Sequence, residues 1–297
     1  MNTRQGLIAI LIAAAGYGTA SIFAKMAFSQ GLDTFTVLTV RYSLAALIMW
    51  FYLLLSRTHR PLEKNQRPLI LMAALSGNIL IPILYFQGLQ RLPISLFAIL
   101  SYTYPAFVIL LSGLVLKEKI QSHQRTALIL TMTGCAVMFW SRDFRFDLMG
   151  IALATGASFS YAIYILGLAR YLKAIRPARA MTYTISTAAV VFLIYGALTG
   201  RLLAPSPSGW AILTMMAVFS TAAASIAFFT GVQMIGPSRA ALISTVEPLF
   251  TILLAMLIFN ERITGLQGLG GFMVILALLI LHAGTPQAGP SPTGNDS

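Results

Sequence analysis

One stretch of this chain occurs twice, 143 residues apart. Residues 89–120 align without a gap on residues 232–263, and 12 of the 32 aligned positions are identical. The identical pairs include Pro105 with Pro248 and Ser101 with Ser244. A general preference for apolar residues does not reproduce Pro and Ser at one fixed spacing. The two halves of the chain are therefore predicted to be copies of one ancestral unit.

The chain is predicted to cross a lipid bilayer about ten times. Hydrophobic residues make up 58% of it and charged residues only 9%, against roughly a quarter charged in ordinary soluble domains. A segment of about 20 apolar residues spans a bilayer as a helix, because a helix satisfies its own backbone hydrogen bonds. The predicted spans are residues 5–27, 33–56, 67–89, 93–116, 122–141, 147–169, 177–200, 208–231, 237–259 and 264–283.

Ten spans in two copies leave five spans in each copy, and this odd number determines the predicted architecture. The second copy must enter the membrane from the opposite side to the first. The sequence therefore predicts an all-α membrane protein made of two inverted five-helix repeats, residues 1–143 and 144–283. The Gly-, Pro- and Ser-rich tail at 284–297 is predicted to be disordered and cytoplasmic. Inverted repeats are typical of secondary transporters, which alternate access to a site between the two halves.

The net charge of +12 is explained by the distribution of Lys and Arg between the two sides of the membrane, and it does not indicate a nucleic-acid-binding protein. With the N-terminus assigned to the cytoplasm, thirteen Lys and Arg residues fall on the cytoplasmic side and six on the other. This bias predicts a multi-pass protein of a bacterial inner membrane with both termini in the cytoplasm. The expected partners are the bilayer, whose anionic headgroups the basic surface faces, and a small-molecule substrate. Neither nucleic acid nor an obligate protein partner is expected.

The duplicated segment carries a further pattern, a Pro within a span and then an apolar run that ends in Glu, a basic residue and Ile. It occurs as YPAFVILLSGLVLKEKI and as EPLFTILLAMLIFNERI. Spans 1 and 2 add FAKMAFSQGLDTFTVLTVRYSLAALI, with a Lys near the end of the first helix and an Arg inside the second. With these features, residues 5–283 resemble the drug/metabolite transporter superfamily and, within it, the ten-helix EamA-type exporters. The resemblance implies export of small metabolites, often amino acids, and the suggested subgroup is that of aromatic amino acid exporters.

Polar and aromatic side chains away from the ends of the spans are the candidates for contact with a solute. Tyrosine offers a ring face and a hydroxyl, and amides bond polar groups without a full charge. Tyr17 and Tyr161 have the strongest case, because both lie mid-span at matching positions of the two copies. The predicted substrate-binding residues are Tyr17, Asn78, Tyr85, Tyr102, Tyr161, Tyr164, Gln233 and Ser244.

Glu247 is the one carboxylate that the predicted spans place deep in the bilayer. An ionisable group at that depth is costly, so it is a candidate for proton coupling. The alternative is a structural carboxylate, paired with Arg41 or with another polar group. The prolines in the equivalent spans, Pro105 and Pro248, lack a backbone N–H and predict a hinge or a shaped wall of the cavity.

The sequence offers no basis for an enzyme or for a cofactor. It contains no nucleophile–base arrangement and no nucleotide site, and GLQGLGG at 265–271 opens a membrane helix with no preceding strand. The three His are far apart and Cys135 is the single Cys, so no metal site is expected. The favoured function is export of small amphipathic solutes by alternating access, without ATP. A channel-like facilitator or uniporter is the first alternative, and an intramembrane enzyme is the second.

Overall fold

The computed structural model describes residues 3–56, 61–115, 121–139, 147–167, 177–200, 202–235, 243–244 and 246–283. Within these ranges the regular secondary structure is entirely helical. The helices of the first half are α1 (Thr3–Ser29), α2 (Thr34–Leu55), α3 (Gln66–Ala73), α4 (Ile81–Arg91), α5 (Ile94–Ser101), α6 (Tyr104–Val115) and α7 (Ser122–Phe139). Those of the second half are α8 (Leu148–Gly167), α9 (Pro177–Thr199), α10 (Pro207–Ala217), α11 (Ala224–Ile235), α12 (Glu247–Phe259) and α13 (Gly265–Ala283).

These helices coincide with the predicted spans. Helices α3 and α4 are continuous through a first π-helical segment, Ala74–Leu80, and α10 and α11 are continuous through a second, Val218–Ala223. The ninth predicted span is described as α12 from Glu247 onward, and residues 236–242 lie outside the described part. Six helical segments of the described chain are long and apolar enough to cross a membrane, and three shorter ones are apolar. An all-helical, multi-pass membrane protein is thereby confirmed.

The outer faces of the helices are apolar, as contact with lipid requires. On α2 the exposed fractions of Leu47, Phe51 and Leu55 are 68%, 68% and 74%. Because these residues are four apart, they share one face of the helix. The opposite face carries Met49 and Leu53, which are buried in the core. A helix that is apolar on both faces is typical of a membrane span.

The helices of the two halves pair with each other across the middle of the protein. Helix α1 packs against α11 and the second π segment, and α8 packs against α4. Helix α2 lies against α9, and α7 lies against α13. If the two halves are exchanged, the first two pairs are converted into each other and the last two are unchanged. Every one of these contacts therefore joins one half of the chain to the other.

Two of these contacts require glycine, because the backbones approach closely. A Cβ atom on Gly16 of α1 would lie 2.8 Å from the carbonyl oxygen of Phe219 in the second π segment. A Cβ atom on Gly134 of α7 would lie 2.7 Å from the carbonyl oxygen of Gly270 in α13. Small residues allow this approach of membrane helices. On α1, the close approach fixes the position of the next residue, Tyr17.

A break in the helix separates α5 from α6. The backbone carbonyl groups that lose their helical partners at this break accept hydrogen bonds from a residue of the second half. The carbonyl oxygens of Leu100 and Ser101 both accept hydrogen bonds from Ser158 Oγ of α8, each at 3.0 Å. Pro105 is the second residue of α6, where a missing N–H removes no helical hydrogen bond. Pro248 is likewise the second residue of α12. The two prolines thus follow helix starts, and they do not kink continuous helices.

Candidate functional site

A cavity of about 550 Å³ lies between the two halves, within the size range of small-molecule sites. Helices α1, α2, α4 and α6 of the first half and α8, α11, α12 and α13 of the second half contribute lining residues. Its lining residues are Tyr17, Ala20, Arg41, Tyr42, Ile81, Pro82, Tyr85, Phe86, Tyr102, Tyr104, Tyr161, Phe228, Ser244, Glu247 and Leu278. An adjoining cavity of about 250 Å³ reaches α8 and shares Tyr85, Tyr102, Tyr104, Tyr161 and Glu247.

The structure brings most of the predicted site residues to this cavity. Those in its wall are Tyr17, Tyr85, Tyr102, Tyr161, Ser244 and Glu247. Asn78 and Tyr164 are not among the residues that line either cavity. Pro248 is buried and does not line them either, so a hinge is the role that stays predicted for it. The side chains of Gln233 and Pro105 lie outside the described residues.

The hydroxyl groups of two cavity tyrosines are fixed by serines of neighbouring helices. Tyr17 donates a hydrogen bond to Ser225 Oγ of α11 at 3.2 Å. The hydroxyl of Tyr85 on α4 lies 2.8 Å from Ser21 Oγ of α1. Tyr17 is near the middle of the 27-residue α1, so this polar layer lies about halfway along the helix. The rings are held in place as rigid, apolar walls with polar edges.

Glu247 opens α12 and is positioned by a close contact with α1. A Cβ atom on Gly18 would lie 3.3 Å from the carbonyl oxygen of Glu247, and Thr251 Oγ1 donates to the carbonyl of Gly18 at 3.2 Å. The carboxylate accepts a hydrogen bond from the hydroxyl of Tyr102. Within the described residues it forms no ion pair with Arg41, so of the partners that the structural alternative named, the structure shows the other polar group, Tyr102.

Tyr104 occupies the position in the first copy that Glu247 occupies in the second. Its ring meets that of Tyr161 edge to face, with centroids 4.9 Å apart. Tyr161 in turn lies parallel to Tyr164, with centroids 6.1 Å apart. Tyr164 therefore supports Tyr161 from behind, which explains why it does not reach the solute space. Tyr104 is a lining residue that the sequence-based list of solute contacts does not contain.

Arg41 is also absent from the predicted substrate-binding residues, and the structure gives it a place in the cavity wall. Its Nε donates to Thr221 Oγ1 of the second π segment at 2.8 Å. Its guanidinium carbon lies 5.5 Å from the ring centroid of Tyr42 and 5.4 Å from that of Phe86. The signal that could have found it is a charged residue inside an apolar span, which by default marks a functional site.

One end of the cavity is tied by two charged side chains, and we call it the tied end. Lys25, five residues beyond Ala20 on α1, donates to the carbonyl oxygens of Leu89 and Leu92, both at 2.8 Å. Glu261, just after α12, accepts from the N–H of Ile94 at 2.7 Å and the N–H of Ser95 at 2.9 Å. It also accepts from Ser95 Oγ at 2.8 Å. The cation thus holds the end of α4 and the anion holds the start of α5.

Two surface contacts lie in the loops at the same end. Ser206 Oγ donates to Gln30 Oε1 at 2.8 Å, which joins the loop before α10 to the end of α1. Arg91 and Asp147 form an ion pair at 3.3 Å. The N–H of Gly150 donates to Asp147 and, more than Arg91 does, holds the pKa of that carboxyl below its ordinary value. An exposed pair of this kind contributes little stability, so the hydrogen bonds of Lys25 and Glu261 are the stronger contacts at this end.

Proteins of several organisms resemble this chain over almost its whole length. An uncharacterized transporter of Archaeoglobus fulgidus is 27% identical over 277 residues, which are 93% of this chain and 96% of that protein. The uncharacterized transporter YcbK of Bacillus subtilis is 25% identical over 91% of both chains. The uncharacterized inner membrane transporter YicL of Salmonella typhimurium is 20% identical over 94% of this chain and 96% of its own.

A solved structure and a family model extend these similarities. The crystal structure of a protein that is 14% identical superposes with a TM-score of 0.64, over 93% of this chain and 96% of its own, and shows a shared fold. The model of the EamA-like transporter family matches this chain twice, over residues 4–140 and 148–282. Between them, these two matches take in almost every residue of the helices and of the cavity. The chain therefore belongs to the EamA-like transporter family.

Proposed function

We propose that this protein is a secondary transporter that exports small amphipathic solutes, in particular amino acids and among them aromatic ones, through the central cavity. The observation that carries the proposal is the composition of the cavity wall. One cation, Arg41, one carboxylate, Glu247, and several tyrosines surround a space of about 550 Å³. A solute with charged ends and an apolar body fits groups of this kind. Membership of a transporter family supports the view that such a solute crosses the membrane unmodified.

Alternating access is proposed to arise from two inverted repeats, residues 1–143 and 144–283. The pairing of the helices supports this, because exchange of the halves leaves the set of helix pairs unchanged. The π segments support it as well, since they begin at Ala74 and at Val218, at corresponding points of the two copies. A repeat with this symmetry has two conformations of similar energy, which open the same site to opposite sides.

The tied end is proposed to face the outside of the cell. The positive-inside bias assigns the loop after α1 and the loop after α12 to that side. The described conformation is then closed to the outside, and export requires the contacts of Lys25 and Glu261 to break. A bacterial inner membrane with both termini in the cytoplasm is the proposed location, and the name of YicL as an inner membrane transporter supports it. Reporter fusions that place the loops at 56–67 and 170–178 outside would refute this orientation.

The test of the proposal is counterflow into liposomes that contain the purified protein. Vesicles loaded with an unlabelled amino acid are diluted into a trace of the same amino acid in labelled form, for each of the twenty in turn. A carrier accumulates label transiently above equilibrium, and protein-free vesicles do not. Label that merely equilibrates, with no stimulation from the opposite side, would favour the channel-like facilitator. A chemically altered solute would favour an enzyme.

A further inference from the structure

Arg41 is a cation inside a membrane helix, and the described residues provide no anion for it. It is the eighth residue of the 22-residue α2. Arginines at such depth face a cavity or pair with a partner, because the charge is otherwise unfavourable in hydrocarbon. Arg41 faces the cavity, and the ion pair of the described residues joins Arg91 to Asp147 instead. The charge therefore lies at the solute space with no counter-ion among the residues that the structure describes.

The surroundings of Arg41 fix the guanidinium group while leaving its outer edge available. Nε donates to Thr221, and the guanidinium carbon lies over the rings of Tyr42 and Phe86. A guanidinium has five N–H donors, and Nε supplies one of them. Within the described residues the remaining four, on the two terminal nitrogens, have no protein acceptor. Such an arrangement is a preorganised anion site.

We propose that Arg41 binds the carboxylate of the transported solute and makes that group a requirement for recognition. The inference rests on the proposed function, because it assumes that the molecule bound in the cavity is the transported solute. The planar fork of a guanidinium matches the two oxygens of a carboxylate, with two parallel charge-assisted hydrogen bonds. The substrate class is thus narrowed from small amphipathic compounds to carboxylates with an apolar or aromatic body.

Glu247 determines the orientation in which the solute binds. It belongs to the second half of the chain, and its hydrogen-bond donor among the described residues is the neutral hydroxyl of Tyr102. A solute carboxylate next to Glu247 would be repelled, whereas an amino group would be attracted. The acid end of the solute therefore binds at Arg41, the amino end points towards Glu247, and the body contacts the tyrosine rings.

The test uses phenylalanine and phenylalaninamide, which share the ring and the amino group and differ in the carboxylate. Each competes for counterflow of labelled phenylalanine in liposomes that contain wild type, Arg41→Gln or Arg41→Lys. The matched control is Arg91→Gln, the same change at an exposed arginine. We expect the amide to compete at least tenfold more weakly in wild type. Arg41→Gln should weaken competition by phenylalanine by 10- to 100-fold, which corresponds to about 1.4–2.8 kcal/mol. Competition by the amide should be unchanged.

The remaining variants separate binding from folding. Arg41→Lys keeps the charge and loses the fork, so an intermediate loss is expected. Thr221→Val removes only the hydrogen-bond partner of Nε, so competition by phenylalanine should weaken by a few-fold. If Arg41→Gln does not fold, these two variants decide the question. Equal competition by the amide in wild type, or an equal loss for both compounds in the variants, would overturn the inference.

A binding readout distinguishes failure of this inference from failure of the proposed function. If wild type transports none of the twenty amino acids, the proposed function fails. Binding of a carboxylate to Arg41 is then tested only by the thermal stability of the purified protein. Phenylacetate should then raise the Tm of purified wild type but not that of Arg41→Gln, and phenylacetamide should raise neither. Any other pattern would overturn the assignment of Arg41.

Discussion

Replacing Glu261 by Gln should open the tied end of the cavity. The carboxylate of Glu261 caps the first two N–H groups of α5, and the N-cap residue of α5, Pro93, supplies no side-chain hydrogen bond. The cap therefore comes from the other half of the chain. Any movement that separates α12 from α5 at this end must break it. Gln has the same shape as Glu but lacks the charge and one of the two acceptor oxygens.

The expected magnitude follows from the hydrogen bonds that are lost. A hydrogen bond to a charged group contributes about 1.5–3 kcal/mol, and a carboxylate at a helix N-terminus adds about 0.3–1 kcal/mol. Because the Gln oxygen still accepts one bond, the closed conformation should lose on the order of 2 kcal/mol. That loss shifts the equilibrium between closed and open by roughly thirtyfold. Half-burial of Glu261 limits screening by water, so the loss should persist at physiological salt.

With the tied end facing outside, as proposed, the assay measures access to the cavity from outside. A cysteine at Ala20, which lines the cavity, is introduced with Cys135→Ser, and cells are treated with a membrane-impermeant maleimide. Labelling should be slow with Glu261 present and at least tenfold faster in Glu261→Gln. A second cysteine at the exposed Ser29 reports that the reagent reaches the outer face in both backgrounds.

The control is Glu63→Gln, the same substitution at an exposed carboxylate in the loop before α3. It should leave labelling of the cysteine at residue 20 unchanged. Equal labelling rates in Glu261→Gln and its parent, with normal labelling of the cysteine at residue 29, would refute the role of the cap.

Three further changes test the cavity. Glu247→Gln keeps the shape of the side chain but neither titrates nor attracts the amino group of the solute. It should therefore weaken amino acid exchange and lose any acceleration by a pH gradient. The check is counterflow with and without the gradient, and a wild type that ignores pH gradients would contradict a role in proton coupling. Tyr161→Ala should weaken solute competition by about 3- to 10-fold, since an aromatic contact contributes roughly 0.5–1.5 kcal/mol beyond its area, with protein abundance nearly unchanged. Gly16→Ala should lower the free energy of unfolding by about 1–3 kcal/mol, seen as a lower Tm, because the new methyl group meets the carbonyl of Phe219 at 2.8 Å.

The helices could be predicted from the sequence because their signal is simple. Long apolar runs bounded by polar loops give spans such as 5–27 and 33–56, and the helices Thr3–Ser29 and Thr34–Leu55 match them within two residues. The π segments could not be predicted in this way. Whether one turn is widened depends on what packs against it, and hydropathy does not record that contact.

The sequence could predict how deep in the membrane each cavity residue lies, but not which face of its helix the residue occupies. The position of a residue along a span gives its depth, whereas the face it occupies depends on how the helix is rotated. Asn78 lies inside the first π segment, where an extra residue per turn shifts the face by about 100° relative to an ideal helix, and it misses the cavity. Tyr17 and Tyr161 both line the cavity, and the match between the two copies constrained the helix face of each as well as its depth.

The cavity combines a nearly symmetric scaffold with asymmetric chemistry. The counterpart of Glu247 is Tyr104, and the counterpart of Arg41 is Thr184 or Ile185, both of which are uncharged and buried. In the proposed alternating-access cycle, symmetric helix pairs allow the two halves to exchange conformations without a large difference in energy. A site with equivalent groups on both sides, however, could not distinguish the two ends of a solute. In the proposed cycle the cation comes from α2 and the carboxylate from α12, so the solute would keep one orientation relative to the halves while the opening moves from one side of the membrane to the other.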